Sequence, residues 1–481
     1  MSVTLNPPYE EWGAILASNL GVASALHEVV GSTNVAAVRR DLVEVAARYR
    51  SEMRECALRV GLTIPDRAPT AQGVGAAIVM AGHQPVLYHP GILEKTKRLG
   101  ALASERGAYA LNVAIDTDEG DGGRLLWPLR DGDDVVIKQS TIGTGEGLYR
   151  EQRVVSREAS IDTFAQLKRD LTTSGCLNAL QGAERAGRLY ASLEGESIVL
   201  ANALVRTVLS GGVYDEVPLS RILEAPSVRE FLEQIVRDAE RFGALYNGAL
   251  ERYRANHKIK NPANPFPNMS ITAEAIELPL WEVSRGSRHG VLVKRSEPSI
   301  PPNLLAPRGS IVTLLLRGLC SDLFIHGIGG GKYDLFVNAF AEAYWGSALP
   351  RFVVASATEY LFPERVARYQ HAQEMKGKYK EMVSHTASFM GRGVFSPDDE
   401  GALLPLLERR RELLPRMQGV QSKEARSVVA HELNEVNRLI KTTIDTSSLA
   451  PLLSEGSIDD ARLKRWACRE YPFFLYQAHG A

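Results

Sequence analysis

The chain is expected to fold as an α/β protein built on a parallel sheet, and three stretches carry that expectation. The first runs from Ala76 to Ala103. A short apolar run (Ala76 to Ala81) breaks at Gly82-His83-Gln84-Pro85, turns through His89-Pro90-Gly91, and re-enters as a helical pattern over 92–103. The second is the apolar run Tyr109 to Ile115, which ends in the acidic loop Asp116-Thr117-Asp118-Glu119-Gly120-Asp121. The third lies at Asp322 to Ser356: a short strand to Gly327, a glycine loop (Gly327 to Lys332), a helix over Tyr333 to Trp345, and a strand over Arg351 to Ser356. Strand, glycine break and helix in that order open a βαβ unit.

Taken in order, residues 1–72 read as a helical N-terminal segment. Val35, Val38, Leu42, Val45, Tyr49, Met53 and Cys56 recur at helical spacing, and Pro65-Asp66-Arg67 marks a break. The core is split between 73–127 and 300–360. Between them, 128–299 reads as a mostly helical insertion. Asp131 to Asp134 is a hairpin turn, Val228, Phe231, Ile235, Ala239, Phe242 and Tyr246 trace one apolar face, and Asn261 to Pro267 is a loop by composition. Residues 304–319 are expected to be helical. Segment 361–445 reads as a helical hairpin or coiled-coil arm, with helices near 363–390 and 422–443 and a shorter one within Leu403 to Met417. Val429, Leu433, Val436 and Ile440 form its seam. That seam predicts a homodimer. The aromatic end, Glu470-Tyr-Pro-Phe-Phe-Leu-Tyr within 446–481, is expected to dock on the body.

Bulk properties narrow the function classes. Lys and Arg number 56 and Asp and Glu 57, so no whole-chain nucleic-acid footprint is expected. No apolar run approaches the roughly 20 residues that span a bilayer. The N-terminus carries Glu10-Glu11 where a signal peptide would be basic, so a cytoplasmic protein is expected. Cys56, Cys176, Cys320 and Cys468 stand far apart, a spacing that suits packed thiols rather than a zinc site or a disulfide framework.

Three features together resemble the bacillithiol biosynthesis cysteine-adding enzymes, a family of ATP-dependent ligases. They are the loop Gly82-His83-Gln84-Pro85 through Pro90-Gly91, the acidic strand end Asp116 to Asp121, and the later segment Leu304 to Lys332 followed by a long helical hairpin. The likeness is strongest to a bacterial subset with GHQPxLxHPG and HGIGGxKYD patterns. It covers 78–125 and 300–443 in detail. The resemblance implies a Rossmann-like core of the nucleotidylyl-transferase type, an inserted connecting region, a dimerising arm, and ATP or ADP with Mg as cofactors. This chain departs from the family in having His83 where a glutamine is usual, no histidine in the acidic cluster, and Lys332 in the second loop.

The residues suit that chemistry. His83 and His89 are placed to donate to charge developing at a phosphate, with Lys332 as a third catalytic group. Gly82, Gln84, Gly91 and Lys95 would hold the nucleotide together with His326, Gly327, Gly329, Gly330 and Gly331, because a helix N-terminus and close backbone approach both favour phosphate. Asp116, Asp118, Glu119, Asp121 and Asp334 would face the second substrate. Asp116 and Asp118, two apart and expected to share a side, are suited to Mg. Asp334 would orient Lys332 or His326. The Lys332 loop is not a Walker A loop, since no Ser or Thr follows the lysine. His257, Lys258 and Lys260 read as a solvated basic stretch. Lys376, Lys378 and Lys380, with Arg365 and Arg368, read as a charged helix flank, and His371, His385 and His431 as surface residues. Three function classes stay open: a nucleotide-dependent ligase joining a small carboxylate to an amine, a metal-dependent glycosyl or phosphoryl transferase using Asp116-x-Asp118, and a non-catalytic nucleotide-binding or scaffold protein.

Overall fold

In the computed structural model, residues 1–31, 33–64, 76–301, 303–419, 422–455 and 460–476 are described; the expected break at Pro65 to Arg67 lies outside them. They form two units, one of residues 1–130, 136–361 and 469–481, the other of 131–135 and 362–468.

The first unit is α/β around a mixed, mostly parallel sheet. Its elements are β1 (Ser2–Asn6), α1 (Trp12–Val29), α2 (Val35–Arg59), β2 (Ile78–His83), α3 (Pro90–Arg106), β3 (Tyr109–Ala114), β4 (Asp215–Pro218), β5 (Leu323–His326), α4 (Ile328–Trp345) and β6 (Phe352–Thr358). The strand order is β1-β6-β5-β2-β3-β4. Every pairing is parallel except β1 against β6. From β2 the chain steps outward one way through β3 and β4, then returns to β2's other side with β5 and β6. The order therefore reverses between β2 and β5, and ligands of open α/β sheets bind beyond the carboxyl ends at such a switch point.

The apolar runs became strands because both faces are covered. Val79, Ala81, Leu323, Ile325, Val353 and Ala355 pack in one cluster with Trp12, Ile15 and Leu16 of α1 and Leu99, Leu102 and Ala103 of α3. Helix α4 packs on β5 and β6.

Four expectations are corrected. The N-terminal segment is not wholly helical: Ser2–Asn6 pairs along the edge of β6. The insertion is not external to the sheet, since Asp215–Pro218 extends it beyond β3. Its expected apolar face is buried as predicted, but spread over two helices, Pro226–Arg237 and Ala239–Asn256. Residues 304–319 are not one helix. Leu304–Pro307 pairs with Ala275–Ser284, and a short helix, Ser310–Leu315, runs on into a π turn, Leu316–Cys320. The glycine run is no loop, because Ile328 to Gly331 form the first turn of α4.

The hairpin turn is as expected, with Gly132 at φ 57° between paired strands Arg124–Asp131 and Asp134–Thr141. Cys56, Cys176 and Cys320 are buried and Cys468 partly so. No helix among the described residues is long and apolar enough to cross a membrane.

The second unit contains three long helices, α5 (Pro363–Ser384), α6 (Pro397–Gly419) and α7 (Lys423–Asp445), so the middle one is no shorter than its neighbours. Val429, Val436 and Ile440 are buried against Met375, Met382, Leu403 and Leu413, with Leu433 partly buried beside them. The seam that suggested a second copy is thus covered within the unit. His371, His385 and His431 are exposed.

Candidate functional site at the switch point

Both strands that flank the switch point end in a histidine, and each is followed by a helix, but the two helix starts differ. At the first, His89 is the N-cap of α3: its Nδ1 accepts from the Gly91 N–H at 3.0 Å. Pro90 has no N–H to satisfy, and the N–H groups of Ile92 and Leu93 reach the His89 carbonyl at 3.0 and 3.1 Å. The start of α3 is closed by its own residues. The expectation that it presents a free N-terminus to an anion is therefore corrected. Gly91 is required there, since a Cβ would stand 2.6 Å from the Ala357 carbonyl oxygen.

The second start is bare. Gly327 caps α4 with no side chain, and the first intrahelical bond runs from Gly331 N–H to the Gly327 carbonyl at 3.0 Å. The N–H groups of Ile328, Gly329 and Gly330 precede it and face a cavity. Three glycines disfavour a helix by about 1 kcal/mol each, which is why the run reads as a loop. Packing overrides that preference. A Cβ on Gly330 would lie 2.8 Å from His326 Nδ1, and one on Gly331 would lie 2.8 Å from Val354 Cγ2, so only glycine lets the turn seat against β5 and β6.

The cavity has a volume of about 500 Å³, within the range of small-molecule sites. Its walls include Gly82, His83, Gln84, His89, Gly91 and Lys95 from the first crossover and His326, Gly327, Ile328, Gly329 and Gly330 from the second. The sequence expectation that these two loops share one crevice is met.

Lys95 is the dominant charge of this cavity. It is 4% exposed, its ammonium donates to the Gly82 carbonyl at 2.9 Å, and it has no carboxylate partner among the described residues. Burial alone lowers its pKa to about 8. A buried unpaired ammonium costs several kcal/mol, and here it is held beside three N–H groups that have no hydrogen-bond partner among the described residues.

The two histidines differ in tautomer. His83 Nδ1 donates to the Gln84 carbonyl at 3.2 Å, an oxygen that can only accept, so Nε2 carries the lone pair. Burial first, then the Lys95 charge, lowers its pKa to about 3. His83 is thus an acceptor in the cavity, and its expected role as donor is corrected. His89 spends its Nδ1 lone pair on the cap and keeps Nε2–H as a donor. Burial, then Arg469 and Lys95, lower its pKa to about 4.

The acidic strand end separates into different partners. Asp116 is 2% exposed and accepts from the Ser220 N–H at 2.8 Å and its hydroxyl at 2.5 Å, so it ties the loop to the short helix Leu219–Leu223 that follows β4. Burial raises its pKa. Asp121 accepts from the Gly123 N–H and the Thr141 hydroxyl, a turn contact. Glu119 pairs with Arg288 at 3.3 Å on the surface. Asp118 alone lines the cavity, where it receives Gln84 Nε2 at 3.1 Å and pairs with Arg288. Asp116 and Asp118 do not share a side, because the turn after β3 breaks the strand alternation on which that expectation rested. No group of three metal-ligating side chains forms among the described residues.

Lys332 is corrected as well. Once the glycines are wound into α4, it sits on the helix's outer side, exposed and outside the cavity. Asp334 turns inward instead. It accepts from His326 Nε2 at 2.9 Å and pairs with the fully buried Arg317, and Oδ1 has no hydrogen-bond partner among the described residues. Asp334 therefore orients His326, not Lys332. Burial, outweighing Asp334, lowers the His326 pKa and keeps the ring neutral, while Arg317 holds the Asp334 pKa down against burial. His257, Lys258 and Lys260 are exposed and lie outside the cavity.

Sequence reasoning missed Phe266, Tyr333, Ser356 and Arg469 in the cavity wall and Arg288 and Arg317 behind it. Only Tyr333 carried a signal, its place two residues after the last glycine. In comparisons with known proteins, no family model and no curated protein matches this chain.

Proposed function

We propose that the switch-point cavity binds a nucleoside polyphosphate, ATP or ADP, and that the protein is a nucleotide-dependent ligase or nucleotidylyl-transferase-like enzyme on a Rossmann-like core. It would activate a small carboxylate and join it to an amine, as the resemblance to the bacillithiol cysteine-adding family implies. The observation that carries this reading is the buried, unpaired Lys95 beside the bare start of α4. A buried, fixed cation beside the exposed N–H groups of a helix start offers phosphate charge two kinds of partner at once.

With ATP bound, a carboxylate oxygen would attack the α-phosphorus and pyrophosphate would leave, giving an acyl adenylate whose carbonyl carbon an amine can attack, with AMP leaving. The chain's own residues do the rest. Lys95 and the Ile328, Gly329 and Gly330 N–H groups hold the phosphates, and His89 Nε2–H donates at the mouth. His83 Nε2 accepts a hydrogen bond from the incoming amine of the second step. Asp118, already paired with Arg288, and Asp116, engaged by Ser220, do not fit a two-carboxylate magnesium cage. That removes the support for the D-x-D transferase reading.

Calorimetry with ATP, ADP and a UDP-sugar tests the proposal. ATP or ADP should bind, and Lys95→Met should weaken binding by at least tenfold to a hundredfold, the span of a charge-assisted contact. The same variant should melt higher without ligand, because a buried unpaired charge is gone. Equal nucleotide binding by Lys95→Met contradicts the reading, and preference for the UDP-sugar returns the transferase. Pyrophosphate release against a pool of amino acids and amino sugars then identifies the substrates; nucleotide binding without turnover leaves the non-catalytic reading.

A further inference from the structure

Four charged side chains line the cavity: Lys95, Asp118, Asp334 and Arg469. The two carboxylates are neutralised from behind by Arg288 and Arg317. Neither Lys95 nor Arg469 has a carboxylate within ion-pair distance among the described residues, so the cavity holds two uncompensated cations.

Arg469 is not an ordinary surface arginine. The segment that follows it is pinned to the first unit, with Tyr471, Phe473, Phe474 and Leu475 all buried. The Phe473 N–H donates to the Tyr88 carbonyl at 2.8 Å, inside the first crossover loop. The Phe474 carbonyl oxygen stands 1.8 Å from where a Cβ on Gly182 would be, so the helix Leu180–Ser192 keeps a glycine to admit it. The guanidinium itself is exposed and donates to the Thr358 hydroxyl at 3.3 Å, at the carboxyl end of β6. Its charge also reaches the His89 ring at the cavity mouth.

We propose that Arg469 is a ligand-binding residue that holds a second anionic group, distinct from the one at Lys95 and the start of α4, and that the ligand carries linked phosphates. This rests on the reading that the cavity takes a polyphosphate, and it adds the residue that measures the length of the chain. A planar guanidinium offers parallel donors to phosphate oxygens, and exposed Arg469 comes from a different segment of the same cavity wall than Lys95 and the start of α4.

The test is calorimetry of the full chain with inorganic phosphate, tripolyphosphate and succinate, on the natural protein, Arg469→Gln and Arg469→Lys. Tripolyphosphate should bind the natural protein at least tenfold more tightly than phosphate. Arg469→Gln should lose that advantage while phosphate affinity stays within twofold, and Arg469→Lys should restore part of it. Equal weakening of both anions, or of neither, overturns the proposal, and succinate binding more tightly than tripolyphosphate overturns the linked-phosphate assignment. No anion binding by the natural protein overturns the polyphosphate reading itself, a different result from either.

Discussion

The two crossovers at the switch point begin alike and end differently. Each strand finishes in a histidine, His83 or His326, and each leads into a helix of 17 or 18 residues. One helix spends His89 and Pro90 on closing its own N-terminus; the other leaves three N–H groups open behind glycines. A closed start has no backbone donors to spare and an open one has, so the first loop offers the cavity side chains and the second offers backbone N–H groups as well. Histidines marked the first loop as the anion site in the sequence; the proposed reading gives that role to the second, whose start is bare.

After Lys95→Met, the next largest effect should come from Asp116. Asp116→Ala leaves the buried Ser220 N–H without its acceptor and should cost about 1–3 kcal/mol, read by urea unfolding, with nucleotide affinity and its dependence on Mg largely unchanged. A strong loss of Mg-dependent binding at unchanged stability would restore Asp116 to the site.

Lys95 gives the contrast a pH signature. Its folded pKa, about 8, lies below the ordinary lysine value of 10.5. Between those values the unfolded chain binds more protons than the folded one, so this residue makes stability rise with pH across that window. Phosphate affinity should fall as pH rises through about 8, where the free protein loses the ammonium. Affinity flat from pH 7 to 10 would show that Lys95 does not meet the anion.

His89→Ala opens the first start and should have the smallest effect, about 1 kcal/mol of stability for a lost cap, with nucleotide affinity reduced less than by Lys95→Met. A loss as large as that of Lys95→Met would mean that the histidine, not the bare helix, holds the phosphate.

Much of the sheet was legible because β2, β3, β5 and β6 are largely apolar runs, interrupted only by Asn112 in β3 and by Ser356 near the end of β6. Asp215–Pro218 was not, because a four-residue strand that begins with two acids is recognisable only once Asp215 is paired with Arg50 and Glu216 with the buried Arg206. The helical glycines were unreadable since local propensity opposes them and only contact with His326 and Val354 explains them. Lys332 was misplaced by the same error, because reading a loop for a helix removes the turn that carries it outward. Arg469 lies far along the chain from the loops it joins, and nothing local marks it.

The most direct test gives the second helix start what the first already has. Gly327→Asp places an acceptor at the N-cap of α4, where the nearest atom to a new Cβ is Lys95 Cδ at 4.0 Å, so the side chain has room and a cation to meet. Pyrophosphate titration with a parallel thermal melt should show affinity lower by at least a hundredfold and a melting temperature higher by a few degrees, since the built-in carboxylate takes the anion's place. Unchanged pyrophosphate affinity in a folded Gly327→Asp protein would contradict the assignment of the anion to the bare start of α4.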